Sequence, residues 1–257
     1  MKLHIIGPGV VGKATGEGVR RFGHDIIYTD KGDPHWEVEA NIHFICTPEE
    51  VVENVVDEML HRGTNGECRD IVIRSSVPPG TTAYLAEKYK RLARFWHNPE
   101  FLREAVAEQD FLNTGRAIIG LTDPYYAGLR FCALRTLYEQ MLVPIYFCSS
   151  TESELVKLIT NAYLATQVSF WNAMESLCER ERVNSHALAR LVALDPRVSK
   201  YGAFQHGQPY GGRCLPKDVQ QLIDRSTREM SDGHDWSWVT AHFLKGIQRV
   251  NRSLGGE

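Results

Sequence analysis

Along the first 150 or so residues, short apolar runs alternate with segments whose apolar positions recur at helical spacing. The runs Lys2–Ile6, Asp25–Thr29, Ile42–Cys46, Asp70–Ser75, Arg94–His97, Ala117–Gly120 and Val143–Phe147 read as strands. Helices are predicted near residues 10–22, 49–61, 80–90 and 124–139. Strand alternating with helix predicts βαβ units and a largely parallel sheet. The strand runs are almost continuously apolar, as expected where helices cover both sheet faces.

The pattern changes at Thr151. Thr151-Glu152-Ser153-Glu154 fits a capping box, in which the threonine hydroxyl and the Glu154 carboxylate satisfy free N–H groups at a helix start. About thirty residues without Gly or Pro follow, to roughly Arg182, with Leu155, Leu158, Ile159, Ala162, Leu164, Ala165 and Val168 forming a broad apolar face. Further helices are predicted at 184–194, 217–230 and 236–253, and the tail Ser253–Glu257 reads as a frayed end. The expected architecture is therefore a doubly wound α/β domain over 1–150 and an α-helical domain over 151–257.

Composition narrows the function classes. The chain has 257 residues, 29 basic and 32 acidic side chains and a formal charge of -3. That balance lacks the basic excess of a general nucleic-acid binder. No apolar run is long enough to cross a bilayer, and the N-terminus enters a folded-looking motif without the regions of a signal peptide. Six cysteines are scattered, with no CxxC pair and no Cys/His cluster at zinc spacing. The expectation is a cytoplasmic protein with reduced thiols, no metal and no nucleic-acid or membrane partner.

Gly7-Pro8-Gly9-Val10-Val11-Gly12 matches GxGxxG, directly after the first predicted strand and opening a helix. In such a loop the first glycine makes the tight turn and the second lets a pyrophosphate approach the backbone. The third permits close helix–strand packing, and the helix N-terminus supplies N–H groups and positive potential. Asp30 stands at the end of the second strand run, where a carboxylate accepts hydrogen bonds from a ribose 2′-OH and repels a 2′-phosphate. NAD is thus favoured over NADP, although Lys31 blunts the preference. Two further loops, Cys46-Thr47-Pro48 and Ser75–Thr81, fall at C-terminal strand ends, where open α/β sheets bind ligands. The same residue types also make ordinary turns.

Three distant segments carry the remaining candidate chemistry: His97–Glu104 with Ala107, Asp110 and Gly115-Arg116; Glu154–Ala165 with Asn172 and Glu175; and Gly211–Asp218. In the last, Cys214 follows two glycines and precedes Pro216, a residue favoured in a first helical turn. A helix N-terminus and Lys217 would both favour the thiolate, the nucleophilic form. Asp218 lies four residues on and can orient a lysine or a water. Lys157 and Asn161, also i and i+4, would point an ammonium and an amide into one space, which suits a developing oxyanion. The other five cysteines read as small buried hydrophobes.

In order and spacing these segments resemble the signatures of the UDP-glucose/GDP-mannose dehydrogenase family, roughly NPEFLREG, E-L-x-K-x-x-x-N and GG-S-C-x-P-K-D. Ser75-Ser76-Val77-Pro78-Pro79-Gly80-Thr81 likewise resembles the family's STVPPGT. The resemblance implies oxidation of a primary alcohol of a nucleotide sugar or related phosphorylated sugar to a carboxylate, consuming two NAD. Cys214 would capture the intermediate aldehyde as a thiohemiacetal that becomes a thioester. Lys157 and Asn161 would stabilise charge on the substrate oxygen, while Asp218, Glu104 and Glu100 would manage water and protons. Ser76 stands where the family usually has threonine near the nicotinamide. The same resemblance assigns NAD binding to Gly7, Gly9, Val10, Val11, Gly12, Asp30, Thr47, Pro48, Ser76 and Lys217. Substrate binding falls to Glu100, Phe101, Leu102, Arg103, Glu104, Lys157, Asn161, Gly211, Gly212 and Arg213.

The sequence departs from the family in three ways. It stops about where the family's C-terminal nucleotide-binding domain would begin, it is short between Asp30 and Phe44, and Arg213 replaces the usual serine. Arg213 could hold an anionic group of the substrate or face solvent. Two other readings stand beside the first: a single-step hydroxyacid or sugar-alcohol dehydrogenase with a silent Cys214, and a non-catalytic NAD-binding descendant. Phe170 and Trp171 belong either to a homodimer surface on the helical domain or to its core.

Overall fold

Seven strands form one sheet: β1 (Lys2–Ile6), β2 (Asp25–Thr29), β3 (Ile42–Ile45), β4 (Arg69–Ile73), β5 (Ala93–His97), β6 (Ala117–Leu121) and β7 (Ile145–Ser149). Their order is β2-β1-β3-β4-β5-β6-β7. All neighbouring pairs are parallel except β5–β6, where Trp96 opposes Leu121 and His97 opposes Gly120. The structure, a computed structural model, describes residues 1–33, 38–62, 69–122, 132–212, 214–228 and 237–256. The chain divides into two compact units, Met1–Lys157 and Leu158–Glu257.

In the first unit, strand alternation feeds two apolar layers. Leu3, Ile5, Ile42, Phe44, Val72 and Trp96 face one cluster, which Val19, Phe111, Leu134 and Leu137 complete from α1 (Val10–Arg20), α4 (Ala107–Leu112) and α5 (Ala133–Gln140). Ile6, Ile45, Ile71, Ile73 and Phe95 face the other, with residues of α2 (Val52–Arg62) and α3 (Thr81–Lys88). Helices on both faces explain why the strands read as unbroken apolar runs. Polar exceptions exist: His4 and His43, paired in register, lie 3.0 Å apart between their Nδ1 atoms, and His4 Nε2 lies 2.8 Å from Thr29 Oγ1.

The predicted elements recur with small shifts. The last strand starts two residues later than expected, because Pro144 has no N–H to give the ladder. Two six-residue helices, α4 in this unit and α8 (Lys200–Gln205) in the other, lack enough turns to show a helical period and were not expected. The predicted helix over 124–139 lies outside the described residues up to 131, and α5 accounts for the rest.

The capping box is corrected. The helix α6 (Ser150–Arg180) starts one residue before Thr151, and its box is Ser149 with Glu152. Ser149 N donates to Glu152 Oε2 at 2.8 Å, and Glu152 N to Ser149 Oγ at 3.2 Å. Glu154 caps a different helix. Its buried carboxylate accepts from Gly80 N at 2.6 Å and Thr82 N at 2.8 Å, at the start of α3, where no local side chain caps. Burial pushes this carboxyl above its ordinary pKa, and the hydrogen bonds from Thr82 and Gly80 pull the other way. One residue earlier, Ser153 Oγ lies 2.8 Å from Nδ1 of the fully buried His97.

The second unit is helical: the remainder of α6, then α7 (Ser185–Val192), α8, α9 (Cys214–Arg228) and α10 (Ser237–Ser253). Val219, Leu222 and Ile223 of α9 and Ala241, Leu244 and Ile247 of α10 are buried where these two helices pack. Trp171 sits in a core with Ala189, Ala193 and Ala203, whereas Phe170 is 54% exposed. Among the described residues no helix is long and apolar enough to cross a membrane.

Two stability measurements follow. Glu154→Ala leaves two amides of α3 without their acceptor, and urea unfolding should show a loss of about 2 kcal/mol, with Glu154→Gln losing less. Equal midpoints for all three proteins would remove the capping role. Burial, reinforced by the charges of Arg74 and Lys157, holds His97 down from 6.5 to about 3. A folded pKa below the unfolded one means its stabilisation is complete above pH 6.5 and is lost as pH falls towards 3. His97→Asn should therefore flatten the fall of unfolding free energy between about pH 6 and 4 by close to one proton, about 1.4 kcal/mol per pH unit. Parallel slopes would contradict a buried neutral imidazole.

Candidate functional site

The strand order reverses at β1, since β2 lies on one side and β3 on the other, and this is where an open α/β sheet binds ligands. The glycine loop leaves β1 at this point. Gly7 has φ +86°, and a Cβ there would lie 2.9 Å from Thr47 Cγ2 and 3.0 Å from the Cys46 carbonyl oxygen. A Cβ on Gly12 would meet the Gly7 carbonyl oxygen at 2.2 Å, so α1 can sit against the turn only with glycine there. Gly9 is exposed, and a Cβ there would have nothing within 4 Å. It precedes α1, whose first turn has neither a capping side chain nor an acid.

A cleft of about 800 Å³ opens over this loop, walled by Gly7, Gly9, Asp30, Thr47, Pro48 and Glu58, among others. Asp30 is exposed at the end of β2, with Oδ1 accepting from Lys31 N at 2.7 Å. Val10 is exposed and Val11 half-buried in the first turn of α1, and Ser76 is half-buried after β4. The features fit a dinucleotide: an open glycine backbone at a helix N-terminus for a pyrophosphate, and a carboxylate at the rim for ribose hydroxyls. Sequence reasoning missed the wall from α2, Asn54, Val55 and Glu58. Its signal was present, because Val51, Asn54, Val55 and Glu58 follow Pro48 at i, i+3, i+4 and i+7. Burial pushes the Cys46 thiol in this wall up to about 12 and raises those of Cys132 and Cys148. Cys68 lies outside the described residues.

The segment after β5 is built on a polar network. Asn98 donates from Nδ2 to the Ile118 carbonyl at 2.7 Å, and its Oδ1 accepts from Tyr138 at 2.6 Å and from the buried Arg74. Next to it, the Glu100 and Lys157 side chains are 7% and 5% exposed, with Oε1 and Nζ 2.8 Å apart. The other Glu100 oxygen accepts from Leu102 N at 2.7 Å, which shapes the backbone here. The Phe101 ring centroid lies 5.5 Å from Lys157 Nζ and 4.9 Å from the Arg116 guanidinium. Arg103 is turned to Asp110 instead, donating to both carboxylate oxygens at 2.7 and 3.0 Å, and this guanidinium holds the Asp110 carboxyl below its usual range. Glu104 is exposed on a 3-10 turn, and Leu102 packs against the core.

In the second unit, α9 starts at Cys214, which is exposed. Asp218, one turn on, is fully buried, with Oδ2 accepting from Asn161 Nδ2 at 2.6 Å and Oδ1 3.5 Å from Lys217 Nζ. Lys157 and Asn161 are one turn apart on α6, and both are buried. Gly211 and Gly212 are exposed before α9, Gly212 with φ +74°, and Arg213 lies outside the described residues. Asn172 holds the approach to this turn: its Oδ1 accepts from Gly207 N at 2.7 Å and its Nδ2 donates to the Gln208 carbonyl at 2.9 Å.

Comparison with known proteins adds the family. Residues 38–142 match the NAD binding domain of the UDP-glucose/GDP-mannose dehydrogenase family, and residues 151–252 match its central domain. A UDP-glucose 6-dehydrogenase of Rickettsia typhi is 34% identical over 77% of this chain and 44% of its own length. The chain spans between 42% and 67% of the length of the first curated relatives it matches. Among solved structures, a UDP-glucose dehydrogenase from Pyrobaculum islandicum superposes with a TM-score of 0.84 at 24% identity, over 98% of this chain and 68% of that one. A 3-hydroxyisobutyrate dehydrogenase from Mycobacterium tuberculosis superposes with a TM-score of 0.73 at 13% identity, over 97% and 98%. Both share the fold. With two consecutive domain models of one family spanning most of its length, the chain belongs to the UDP-glucose/GDP-mannose dehydrogenase family.

Proposed function

We propose that this chain oxidises the primary alcohol of a nucleotide sugar, or a related phosphorylated sugar, to a carboxylate with NAD. The observation that carries the reading is at α9: an exposed thiol, Cys214, begins the helix, and a buried carboxylate, Asp218, is tied to Asn161 one turn later. A helix N-terminus favours the thiolate, and a buried carboxylate with hydrogen-bonding partners is a candidate for handling a proton.

In this reading residues 1–150 bind the cofactor and residues 151–257 carry catalysis and self-association. Gly7, Gly9, Val10, Val11 and Gly12 hold the pyrophosphate and Asp30 the adenosine ribose. Thr47, Pro48, Ser76 and Lys217 complete the cofactor site. NAD held there would supply hydride acceptance, and because each NAD accepts one hydride, oxidation of the alcohol to the thioester level would consume two, bound in turn. The Cys214 thiolate adds to the aldehyde carbon, and the sulfur stays attached as that carbon is raised to a thioester. Water then cleaves the thioester, which releases the carboxylate and restores the thiol. Lys157, paired with Glu100, and Asn161 stabilise the substrate oxygen as it gains charge. Asp218, Glu104 and Glu100 handle the water and its protons. Phe101, Leu102, Arg103, Gly211, Gly212 and Arg213 frame the substrate, with Arg103 held by Asp110.

Homodimer formation through the helical unit belongs to the same reading. Exposed Tyr163, Phe170, Leu194 and Phe243 support it, since large apolar side chains gathered on one small unit are costly to leave in water. A cytoplasmic setting is supported by the unbridged thiols of Cys46, Cys132, Cys148 and Cys178.

With UDP-glucose as the first probe, followed by other nucleotide sugars and simple sugar phosphates, the expected result is two NADH per substrate and a carboxylate by mass. Cys214→Ala should reduce acid formation by on the order of a thousandfold or more. One NADH with an aldehyde product, or normal turnover of the variant, would overturn the mechanism. Asp30→Ala should weaken NAD binding by on the order of tenfold and narrow the preference over NADP. An unchanged NAD affinity would remove Asp30 from the site.

A further inference from the structure

We propose that Glu175, His186 and His206 form a site for a divalent transition-metal ion within the helical unit. The three come from separate elements: Glu175 from α6, His186 from the first turn of α7, and His206 from just after α8. One ligand atom from each can be chosen so that all three lie within 4.8 Å of one another. A four-coordinate ion with bonds of about 2 Å needs donors only about 3.3 Å apart, so a modest inward rotation of two exposed or half-buried side chains closes the set.

The hydrogen bonds around His206 prepare it as a ligand. Its Nδ1 lies 2.9 Å from the Ala203 carbonyl oxygen, which can only accept, so Nδ1 carries the proton and Nε2 keeps its lone pair. This is the outer-shell arrangement found behind metal-bound histidines, where the second ring nitrogen donates to a carbonyl and fixes the tautomer. The Trp171 ring, with its centroid 5.8 Å away, packs against the same imidazole. Nε2 lies 3.2 Å from Ser185 Oγ, a hydroxyl free to turn aside when the lone pair is taken. The His186 ring lies over His206 with centroids 4.2 Å apart. Gly207 leaves room at the mouth: a Cβ there would lie 3.8 and 3.9 Å from the two Glu175 oxygens and 3.9 Å from His186 Cε1.

The donors select the metal class. Two imidazoles and one carboxylate suit Zn²⁺, Co²⁺, Ni²⁺ or Cu²⁺, whereas Mg²⁺ and Ca²⁺ prefer all-oxygen sites. Three protein donors leave the fourth position of a four-coordinate ion for water. An ion here would fasten three helical elements together at the start of the 207–213 segment, whose first residues Asn172 already holds.

The test uses the full chain, stripped with a chelator and titrated calorimetrically with ZnCl₂. One high-affinity Zn²⁺ per chain is expected, together with a rise in melting temperature. His186→Ala, chosen because this histidine is exposed, and Glu175→Gln should each weaken binding by at least about tenfold and abolish the thermal shift, while melting like the wild type in chelator. Cobalt supplies an independent readout, since the intense visible bands of four-coordinate Co²⁺ should appear in the wild type and be lost in His186→Ala. Three outcomes overturn the site: no Zn²⁺ binding by the wild type, equal affinity in both variants, or binding that survives His186→Ala and disappears in Cys214→Ser.

Discussion

Three consecutive polar contacts at the start of α6 hold the loops on which the first unit's chemistry depends. Ser153 meets His97, Glu154 caps α3 through two backbone amides, and Lys157 pairs with Glu100. Each contact is buried, and pairing offsets much of the cost of removing water from these polar groups. The loops that follow β4 and β5 are thus pinned by a single stretch of helix. Glu100 passes the constraint on, because its second oxygen sets the turn at Leu102 and places Phe101 beside the ammonium. An apolar substitution in this stretch would leave a charge or an amide uncompensated and so would loosen a loop rather than merely shorten a contact.

The sheet was legible in the sequence because its central strands, β3 and β6 above all, are buried along their whole length and stand out as apolar runs. The dinucleotide loop was legible because its glycines answer steric demands: a positive φ at Gly7 and a 2.2 Å approach at Gly12. Long-range pairing was less visible. Glu154 looks like a local cap, since it stands three residues after a threonine, yet its partners are more than seventy positions away. The real box at Ser149 and Glu152 was hidden because the helix starts inside what reads as the end of a strand and turn. Lys157 and Asn161 were identified from their one-turn spacing, but their carboxylate partners, Glu100 and Asp218, come from other segments. Arg74, which braces Asn98 and lies 5.9 Å from the centroid of the Phe44 ring, gives no periodic or motif signal at all. Spacings of 11 and 20 residues between Glu175, His186 and His206 match no short metal motif, so only folding brings them together.

Family membership and geometry act at different levels. The domain matches fix ancestry, and ancestry accounts for the order of the motifs along the chain. The side-chain contacts say what each motif residue is physically committed to. Arg103 is committed to Asp110, which makes it a brace for its own segment, whereas Asp218 is buried against an amide and close to an ammonium. Such commitments differ among residues that a motif treats alike.

The protonation of Cys46 gives the cofactor cleft a particular chemical character. A thiol held near 12 stays neutral at physiological pH, and electrophiles and peroxides react with sulfur through the anion. The wall beside the glycine loop therefore offers its sulfur in the less nucleophilic, protonated form. Cys214, in contrast, is exposed at a helix start. The two units thus present sulfur differently, as a neutral thiol in the wall of the nucleotide-binding cleft and as a solvent-exposed one in the helical unit.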